Sequence, residues 1–271
     1  MKKTILITGA SSGIGRETAK LFQQNGWNVI ATMRSPETEL ELNTLTDVLV
    51  THLDVQDQPS IISAINEGIT RFGRIDALVN NAGYALIGAF ESATREQIQK
   101  QFNVNLFGLM DVTRAVLPYL RSQGSGTIIN VSSMGGQITF PFGSLYHSTK
   151  FAVEGLSESL AHELQPLGIA VKLIEPGSIA TNFRGAIDMA KNDIVAYDPI
   201  FAGFFNNYAQ AAAHLSKATP AEVAQTIYEA ATDDTDRLRY AIGADAHFYI
   251  DIKHQKSDTD YMRQMRGYFI K

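Results

Sequence analysis

The chain has 271 residues, of which 45% are apolar, and its formal net charge at neutral pH is -5. This length can bury the core of one α/β domain, and the acidic balance excludes an electrostatic attraction to nucleic acid or to an anionic membrane surface. Without cysteine there are no disulfides or thiolate metal sites, and no stretch reaches the roughly 20 apolar residues of a membrane helix. We expect a single-domain cytoplasmic protein.

Short apolar strands alternate with helical stretches along most of the chain. The predicted strands are 3–8, 28–32, 47–53, 75–79, 126–131 and 170–174, and the predicted helices are 13–25, 59–72, 95–121 and 144–164. Such alternation requires right-handed crossovers between parallel strands. It predicts an α/β protein with a doubly wound, mostly parallel sheet of the Rossmann type, covered by helices on both faces.

The last quarter of the chain continues this pattern and then departs from it. Thr219, followed by Pro220 and by Glu222 in the first turn, predicts the start of another helix, and residues 239–243 predict a last strand. No low-complexity linker divides the chain, so residues 1–271 are expected to form one domain.

The turn after the first strand is rich in glycine and serine. Its glycines are Gly9, Gly13 and Gly15, with Ser11 and Ser12 between the first two. Glycine allows a sharp bend and a close approach of the backbone to a ligand, and the start of the following helix attracts a pyrophosphate. The spacing GxxxGxG differs from the usual GxGxxG, so a tight turn without a ligand is the alternative.

A second set of residues carries the chemistry of a proton transfer. Tyr146 and Lys150 are four residues apart on a predicted helix and therefore lie on one face. Ser133 follows a predicted strand, at the edge where doubly wound sheets bind ligands. An ammonium group close to a phenol favours the phenolate, so Lys150 is expected to lower the pKa of Tyr146 from about 10 towards neutrality.

These motifs together resemble the short-chain dehydrogenase/reductase family, in its compact single-domain branch that includes steroid- and retinol-type NADP-dependent reductases. The matching segments are TGASSGIG at 8–15, NNAG at 80–83, NVNLFG around Asn105, VSS at 131–133, the Tyr146 and Lys150 pair, and EPGSIAT at 175–181. Six motifs in the same order are far more specific than one.

The resemblance implies four catalytic residues. Tyr146 would exchange the proton of the carbonyl or alcohol group, and Ser133 would hydrogen-bond the carbonyl oxygen. Lys150 would hold the nicotinamide ribose. Asn105 would position a water in a proton relay, although a helix-kinking or turn-capping amide is the alternative for this residue.

The resemblance also implies a set of residues that contact the cofactor. They are Gly9, Ser11, Ser12, Gly13, Ile14, Gly15, Arg34, Asp54, Val55, Asn81, Ala82, Gly83, Tyr146, Lys150, Pro176, Gly177, Ile179 and Thr181. Asp54 would meet the adenine amino group, with a strand-end cap as its alternative role, while Asn80 is expected mainly to brace the sheet. Ile179 and Thr181 match positions that contact the nicotinamide carboxamide.

The end of the second strand indicates which nicotinamide cofactor is used. An acidic residue there would bind the ribose 2′-hydroxyl of NAD, but this chain has Met33 followed by Arg34. A guanidinium can pair with a 2′-phosphate, so NADP(H) is favoured over NAD(H). A solvated surface residue is the alternative for Arg34, and this chain has Ser12 where many NADP-binding relatives carry a basic residue.

The segment 183–216 is crowded with apolar and aromatic residues, and in the family this region forms a helical lid over the substrate. We therefore expect an apolar ketone, aldehyde or secondary alcohol as substrate, while about half of these side chains pack on the core. The C-terminal extension, residues 244–271, is expected to cover the cleft or a neighbouring subunit. Relatives assemble through the helices predicted at 95–121 and 144–164, which implies a homodimer or homotetramer.

The expected function is that of an NADP(H)-dependent oxidoreductase acting on a CH–OH group or its carbonyl. A non-catalytic dinucleotide-binding sensor or scaffold is the alternative, because the fold can keep its cofactor after chemistry is lost. A related epimerase or dehydratase is disfavoured, since those enzymes have a longer substrate domain and a GxxGxxG opening. His147, beside the tyrosine, is assigned no catalytic part.

Overall fold

The computed structural model describes residues 2–179 and 187–270. Thr181 and the part of the predicted lid from 183 to 186 lie outside the described residues. Within them, no helix combines the length and the apolar character needed to cross a membrane.

The described residues form nine strands and nine α-helices. In chain order these are β1 (Thr4–Thr8), α1 (Gly13–Gln24), β2 (Asn28–Met33), β3 (Val48–His52), α2 (Gln58–Phe72), β4 (Ala77–Asn80), β5 (Ala85–Ile87), α3 (Arg95–Phe102), α4 (Gly108–Gln123), β6 (Gly126–Val131), α5 (Ser144–Leu164), β7 (Ile169–Pro176), β8 (Ile187–Met189), α6 (Asp198–Ala212), α7 (Pro220–Thr232), β9 (Arg239–Ile242), α8 (Ala244–Gln255) and α9 (Asp258–Phe269).

Seven of the strands form one parallel sheet in the order β3-β2-β1-β4-β6-β7-β9. The order reverses between β1 and β4, and at such a point the loops that follow the two strands diverge and leave a crevice for a ligand. The predicted doubly wound Rossmann-type fold is confirmed.

The sheet is buried on both faces, and β1 shows how its sequence achieves this. Ile5 and Ile7 belong to a core with α1 and α7, while Leu6 points to the opposite core with α2 and α4. Each such side chain contributes about 1.5–3 kcal/mol when fully buried. The burial makes the sheet a rigid base for the loops at the carboxyl ends of its strands.

The helix predicted over 95–121 is divided into two. Between α3 and α4 the segment Asn103–Phe107 is π-helical, and it contains Asn105. A π-helical turn inserts one residue into an α-helix and is frequent at functional sites. The predicted start at Thr219 agrees with the structure, where Thr219 and Glu222 form a capping box.

The C-terminal extension packs within its own chain. Helix α9 lies against α6, the helix of the predicted lid, and α8 follows β9 directly. Their buried side chains share an apolar cluster with the loop after β6: Met134, Ile138, Phe204, Tyr249, Tyr261, Met265 and Phe269. Strand β8 pairs with β5 and so ties the segment before α6 to the chain that follows β4.

Candidate active site

The glycine turn between β1 and α1 is closely packed where two of its glycines lie. A Cβ on Gly15 would lie 2.6 Å from Asn81 Nδ2 and would also collide with the carbonyl oxygen of Gly9. Asn81 Nδ2 donates to the carbonyl oxygens of Thr8 (2.9 Å) and Gly9 (3.0 Å). The start of α1 can therefore pack this closely only if residue 15 has no side chain.

The same turn is open at Gly13, as a bound phosphate would require. Gly13 has φ +55°, and a Cβ added there would meet nothing within 4 Å. The first turn of α1 carries no acidic residue, and the side chain of Ser12 makes no capping hydrogen bond. The amides at the positive end of the helix dipole are thus not capped by a side chain of this turn, so these residues fit the pyrophosphate of a dinucleotide.

Ser133, Tyr146 and Lys150 come together at the carboxyl end of β6. The Ser133 hydroxyl accepts from the amide of Gly135 (3.0 Å) and donates weakly to the carbonyl oxygen of Pro176 (3.4 Å). Lys150 Nζ lies 5.8 Å from the centroid of the Tyr146 ring. The Ser133 hydroxyl is also close enough to the Tyr146 phenol to influence its pKa, so the three residues predicted to act on one carbonyl group converge.

The expected lowering of the Tyr146 pKa is absent from the structure. Burial of the phenol raises its pKa, and the hydroxyl of Ser133 opposes this shift without reversing it. Burial also lowers the pKa of Lys150 to about 8, with Glu154 opposing. In the free protein, removing the phenol from water raises its pKa more than the Ser133 hydrogen bond lowers it, so Tyr146 holds its proton at neutral pH.

Lys150 and Asn105 are both anchored to backbone. Lys150 Nζ donates to the carbonyl oxygen of Val131 at 2.8 Å. Asn105 Nδ2 donates to the carbonyl oxygen of Tyr84 (2.8 Å), and its Oδ1 accepts from the Tyr84 amide (3.0 Å). Both ends of the Asn105 side chain are occupied by backbone groups, which favours a local structural role for its amide, the alternative to the water relay.

Asn80 lies in a buried polar network below the site. Its Nδ2 donates to Thr113 Oγ1 and to Asn130 Oδ1, both at 2.9 Å, and Asn130 in turn donates to Ser157 (2.8 Å). The network joins β4 and β6 to helices α4 and α5. This arrangement agrees with the expectation that Asn80 braces the sheet.

His147 fixes the loop after β6. One ring nitrogen bonds to the carbonyl oxygen of Gly135 (2.8 Å), and the other accepts from the amide of Phe140 (2.9 Å). Burial lowers the pKa of His147, so the neutral ring can make both bonds. Its contacts are structural, in agreement with the sequence prediction.

Comparison with known proteins identifies the family. The family model for short chain dehydrogenases matches residues 3–192. The chain belongs to the short-chain dehydrogenase/reductase family. An uncharacterised oxidoreductase of Schizosaccharomyces pombe is 43% identical over 235 residues, which are 86% of this chain and 98% of that protein.

Solved structures of relatives agree with this membership. A short-chain dehydrogenase from Streptomyces avermitilis is 35% identical, with a TM-score of 0.83 over 98% of this chain and 95% of its own. The structure of ElxO with NADP bound is 31% identical, with a TM-score of 0.74 over 89% of this chain and 98% of ElxO. The predicted family is confirmed, and with it an oxidoreductase fold that binds nicotinamide dinucleotides.

In this family member the edge beside β2 carries several charges. Arg34 is exposed after the buried Met33, and it forms no ion pair with any described residue. Arg16, at the start of α1, is instead paired with Glu39 and with Glu41 (3.3 Å). Of these two arginines, Arg34 is the one left available for a phosphate group.

Two predicted cofactor contacts make mainly local contacts. Asp54 Oδ1 accepts from the amide of Gln56 at 2.9 Å, which corresponds to the strand-end alternative. Val55 is buried, and a Cβ on Gly108 would lie 2.7 Å from Val55 Cβ. Helix α4 can therefore pack closely against Val55, in the loop after β3, because residue 108 has no side chain.

Ala82 and Gly83 lie in the loop after β4, where Gly83 faces Asn105 Oδ1.

The residues that follow β7 are held from three directions. This post-β7 segment, residues 177–179, bonds to β9 through the Gly177 amide (2.9 Å to the carbonyl oxygen of Ile242), and Ile179 pairs with Ala218. The Ser178 hydroxyl meets the Tyr208 hydroxyl of α6 at 2.8 Å, and the Ser178 amide donates to Asp245 Oδ2 at 2.7 Å. The sequence placed Tyr208 in the predicted lid and gave Asp245 no role, and neither contact with Ser178 could be predicted because the partners are distant in the chain.

A buried acidic pair lies close to Lys150 and includes a residue of the same helix. Glu154 is one turn after Lys150 on α5, and it faces Glu175 of β7. Arg239 Nε contacts both carboxylates, at 3.0 Å from Glu154 and 3.4 Å from Glu175. Burial and the charge of Glu154 raise the pKa of Glu175 to about 8, so Glu175 is largely protonated at neutral pH.

Proposed function

We propose that this oxidoreductase transfers a hydride between NADP(H) and an apolar ketone, aldehyde or secondary alcohol. The observation that carries the proposal is the convergence of Tyr146, Lys150 and Ser133 at the carboxyl end of β6, on the same edge of the sheet as the glycine turn. A non-catalytic sensor would need the binding turn but would have no use for a proton donor beside it.

Each of the three side chains has a part in carbonyl reduction. NADPH, when bound, supplies the hydride. Tyr146 holds its proton at neutral pH because burial raises the pKa of its phenol, so it can donate that proton to the carbonyl oxygen. Ser133 can give up its weak 3.4 Å bond to Pro176 and donate to the same oxygen.

Lys150 stabilises the phenolate that remains on Tyr146 after proton transfer. Below pH of about 8 it is charged, because burial lowers its pKa only to that value. Its ammonium uses one N–H on the carbonyl oxygen of Val131, which leaves two for ribose hydroxyls. Because Tyr146 begins the cycle protonated, reduction of a carbonyl group is favoured over oxidation of an alcohol.

The aromatic lining of the lid supports an apolar substrate. Phe142 contacts Phe201 at 4.9 Å and Phe204 at 5.6 Å between ring centroids, and Tyr208 meets Phe140 at 5.6 Å. Phe204 is buried, which supports the expectation that part of the apolar set packs on the core. The rest gives α6 an apolar face near the catalytic edge.

The preference for NADP(H) is supported by Arg34 and by the NADP bound to the similar ElxO. We expect fluorescence titration to give tighter binding of NADPH than of NADH. Arg34→Asp should reverse that order, while Arg114→Asp, an exposed arginine of α4, should leave it unchanged. Tighter binding of NADH by the unaltered protein would contradict the preference.

We also propose a homodimer or homotetramer formed through α4 and α5. Phe107, next to α4, and Phe151, on α5, are 46% and 44% exposed, which supports an apolar contact there. Light scattering at micromolar concentration should give at least twice the monomer mass, and a monomer alone would overturn this assembly.

A panel of apolar ketones and aldehydes tests the function itself. We expect oxidation of NADPH, followed by its absorbance, with the larger apolar carbonyl compounds and little with charged ones. Binding of NADPH without turnover of any member of a broad panel would favour the sensor.

A further inference from the structure

We propose that Asp245, in the C-terminal extension, is a positioning residue for hydride transfer that holds the post-β7 segment in place. The inference rests on the proposed function, because the family resemblance assigns Gly177 and Ile179 of this segment to the nicotinamide. Asp245 itself is not expected to touch the cofactor or the substrate.

Asp245 is 2% exposed, and each oxygen of its carboxylate accepts from a backbone amide. Oδ2 accepts from the amide of Ser178 at 2.7 Å, and Oδ1 accepts from the amide of Ala246 at 3.0 Å. Hydrogen bonds to a charged acceptor are about twice as strong as neutral ones, so this contact is a strong tie between α8 and the segment.

The carboxylate also fixes the shape of the segment at its first residue. A Cβ on Gly177 would collide with Asp245 Oδ1 and would lie 2.6 Å from its Cγ. Residue 177 can therefore only be glycine while the carboxylate keeps its position. The fit is mutual, because the absence of a side chain at Gly177 is what lets the carboxylate reach Ser178.

The placement of the carboxylate is explained only in part by its own helix. Asp245 lies in the first turn of α8, where the helix dipole stabilises a negative charge. One carboxylate oxygen accepts from the Ala246 amide in that turn. The other reaches a residue 67 positions away in the chain, at the mouth of the proposed cleft.

The remaining ties of the segment do not duplicate this one. The Gly177 amide bonds to Ile242, and Ile179 pairs with Ala218, so each end is fixed by backbone. The Ser178 amide, between them, has the Asp245 carboxylate as its partner. Without it, the middle of the segment keeps the bond between the Ser178 and Tyr208 hydroxyls but loses the anchor of its backbone amide. A misplacement of about 1 Å near a reacting group costs about 100-fold in rate.

The test is Asp245→Asn, which keeps the size of the side chain but turns one acceptor into a donor. We expect kcat for carbonyl reduction to fall 10- to 100-fold, with KM for the carbonyl compound within threefold. Affinity for 2′-phospho-ADP-ribose, which lacks nicotinamide, should stay within twofold, and the emission of bound NADPH should change. Asp251→Asn, an exposed position of the same helix, is the matched control and should change none of these values.

Several outcomes overturn the proposal. It fails if Asp245→Asn keeps normal kcat and normal emission of bound NADPH, or if the fragment and NADPH weaken equally. Should Asp245→Asn fail to fold, Asp245→Ser, whose hydroxyl can still accept from one amide, is measured in the same way. Failure of both variants to fold overturns the proposal as well, because Asp245 would then serve the fold.

The emission and fragment measurements do not require turnover. If the unaltered protein binds NADPH but reduces no carbonyl compound, the proposed function fails while the effect of Asp245→Asn on bound NADPH is still read. A changed emission with unchanged fragment affinity then supports the positioning role alone.

Discussion

Replacing Glu175 by glutamine should change how the stability of the protein depends on pH. In the folded protein the pKa of Glu175 is raised from 4.5 to about 8, because the group is buried beside Glu154. A raised pKa means that the folded state holds the proton more tightly than the unfolded state. The stability that this provides is complete below pH 4.5 and is lost as pH rises to about 8.

The size of the effect follows from the difference between the two pKa values, 4.5 and about 8. Between pH 6 and pH 9 the unfolding free energy of the unaltered protein should lose about 3 kcal/mol through Glu175, at about 1.4 kcal/mol per pH unit up to pH of about 8. Glutamine does not titrate. Its N–H can donate to Glu154 Oε1, which has no hydrogen-bond partner among the described side chains and backbone.

Urea unfolding of both proteins at pH 6 and pH 9 measures this directly. The difference in unfolding free energy should shift in favour of Glu175→Gln by about 3 kcal/mol between the two pH values. Glu158→Gln is the matched control, because Glu158 pairs with the same Arg239 and its pKa is lowered by that hydrogen bond. An equal effect of Glu175→Gln at both pH values would refute the reasoning.

Two further predictions concern the site. Gly15→Ala should weaken NADPH binding at least tenfold in a fluorescence titration, because the added Cβ would collide with the carbonyl oxygen of Gly9. Gly155→Ala is the control and should bind normally, since a Cβ there meets nothing within 4 Å. Normal binding by Gly15→Ala would contradict the close packing of this turn. The kcat/KM for carbonyl reduction should fall as pH rises past about 8, because Lys150 then loses the charge that stabilises the Tyr146 phenolate, and a profile that is flat to pH 9.5 would contradict this.

The fold could be predicted because the sequence features that indicate it are local. The strands are short apolar runs, and the glycines mark the turn between β1 and α1. The pairing of Tyr146 with Lys150 follows from the four-residue spacing on one helix. Ser133 could be placed because parallel strands bring their carboxyl ends to one edge.

What the sequence did not reveal depends on distant contacts. The π-helical turn contains Asn105, whose side chain bonds to the backbone of Tyr84, 21 residues away in the chain. In the sequence Asp245 is an ordinary aspartate at the start of a helix, and only the structure shows that its carboxylate accepts from the Ser178 amide. The direction of the Tyr146 pKa shift required the burial of the phenol, which spacing alone does not give.

The most direct test of the proposed mechanism is the turnover of Tyr146→Phe measured beside its affinity for NADPH. Removing only the phenolic oxygen should leave the dissociation constant of NADPH within threefold and reduce kcat at least about 100-fold on the best substrate of the panel. A variant that binds NADPH normally and still reduces the carbonyl compound within tenfold of the unaltered rate would contradict the assignment of the proton donor.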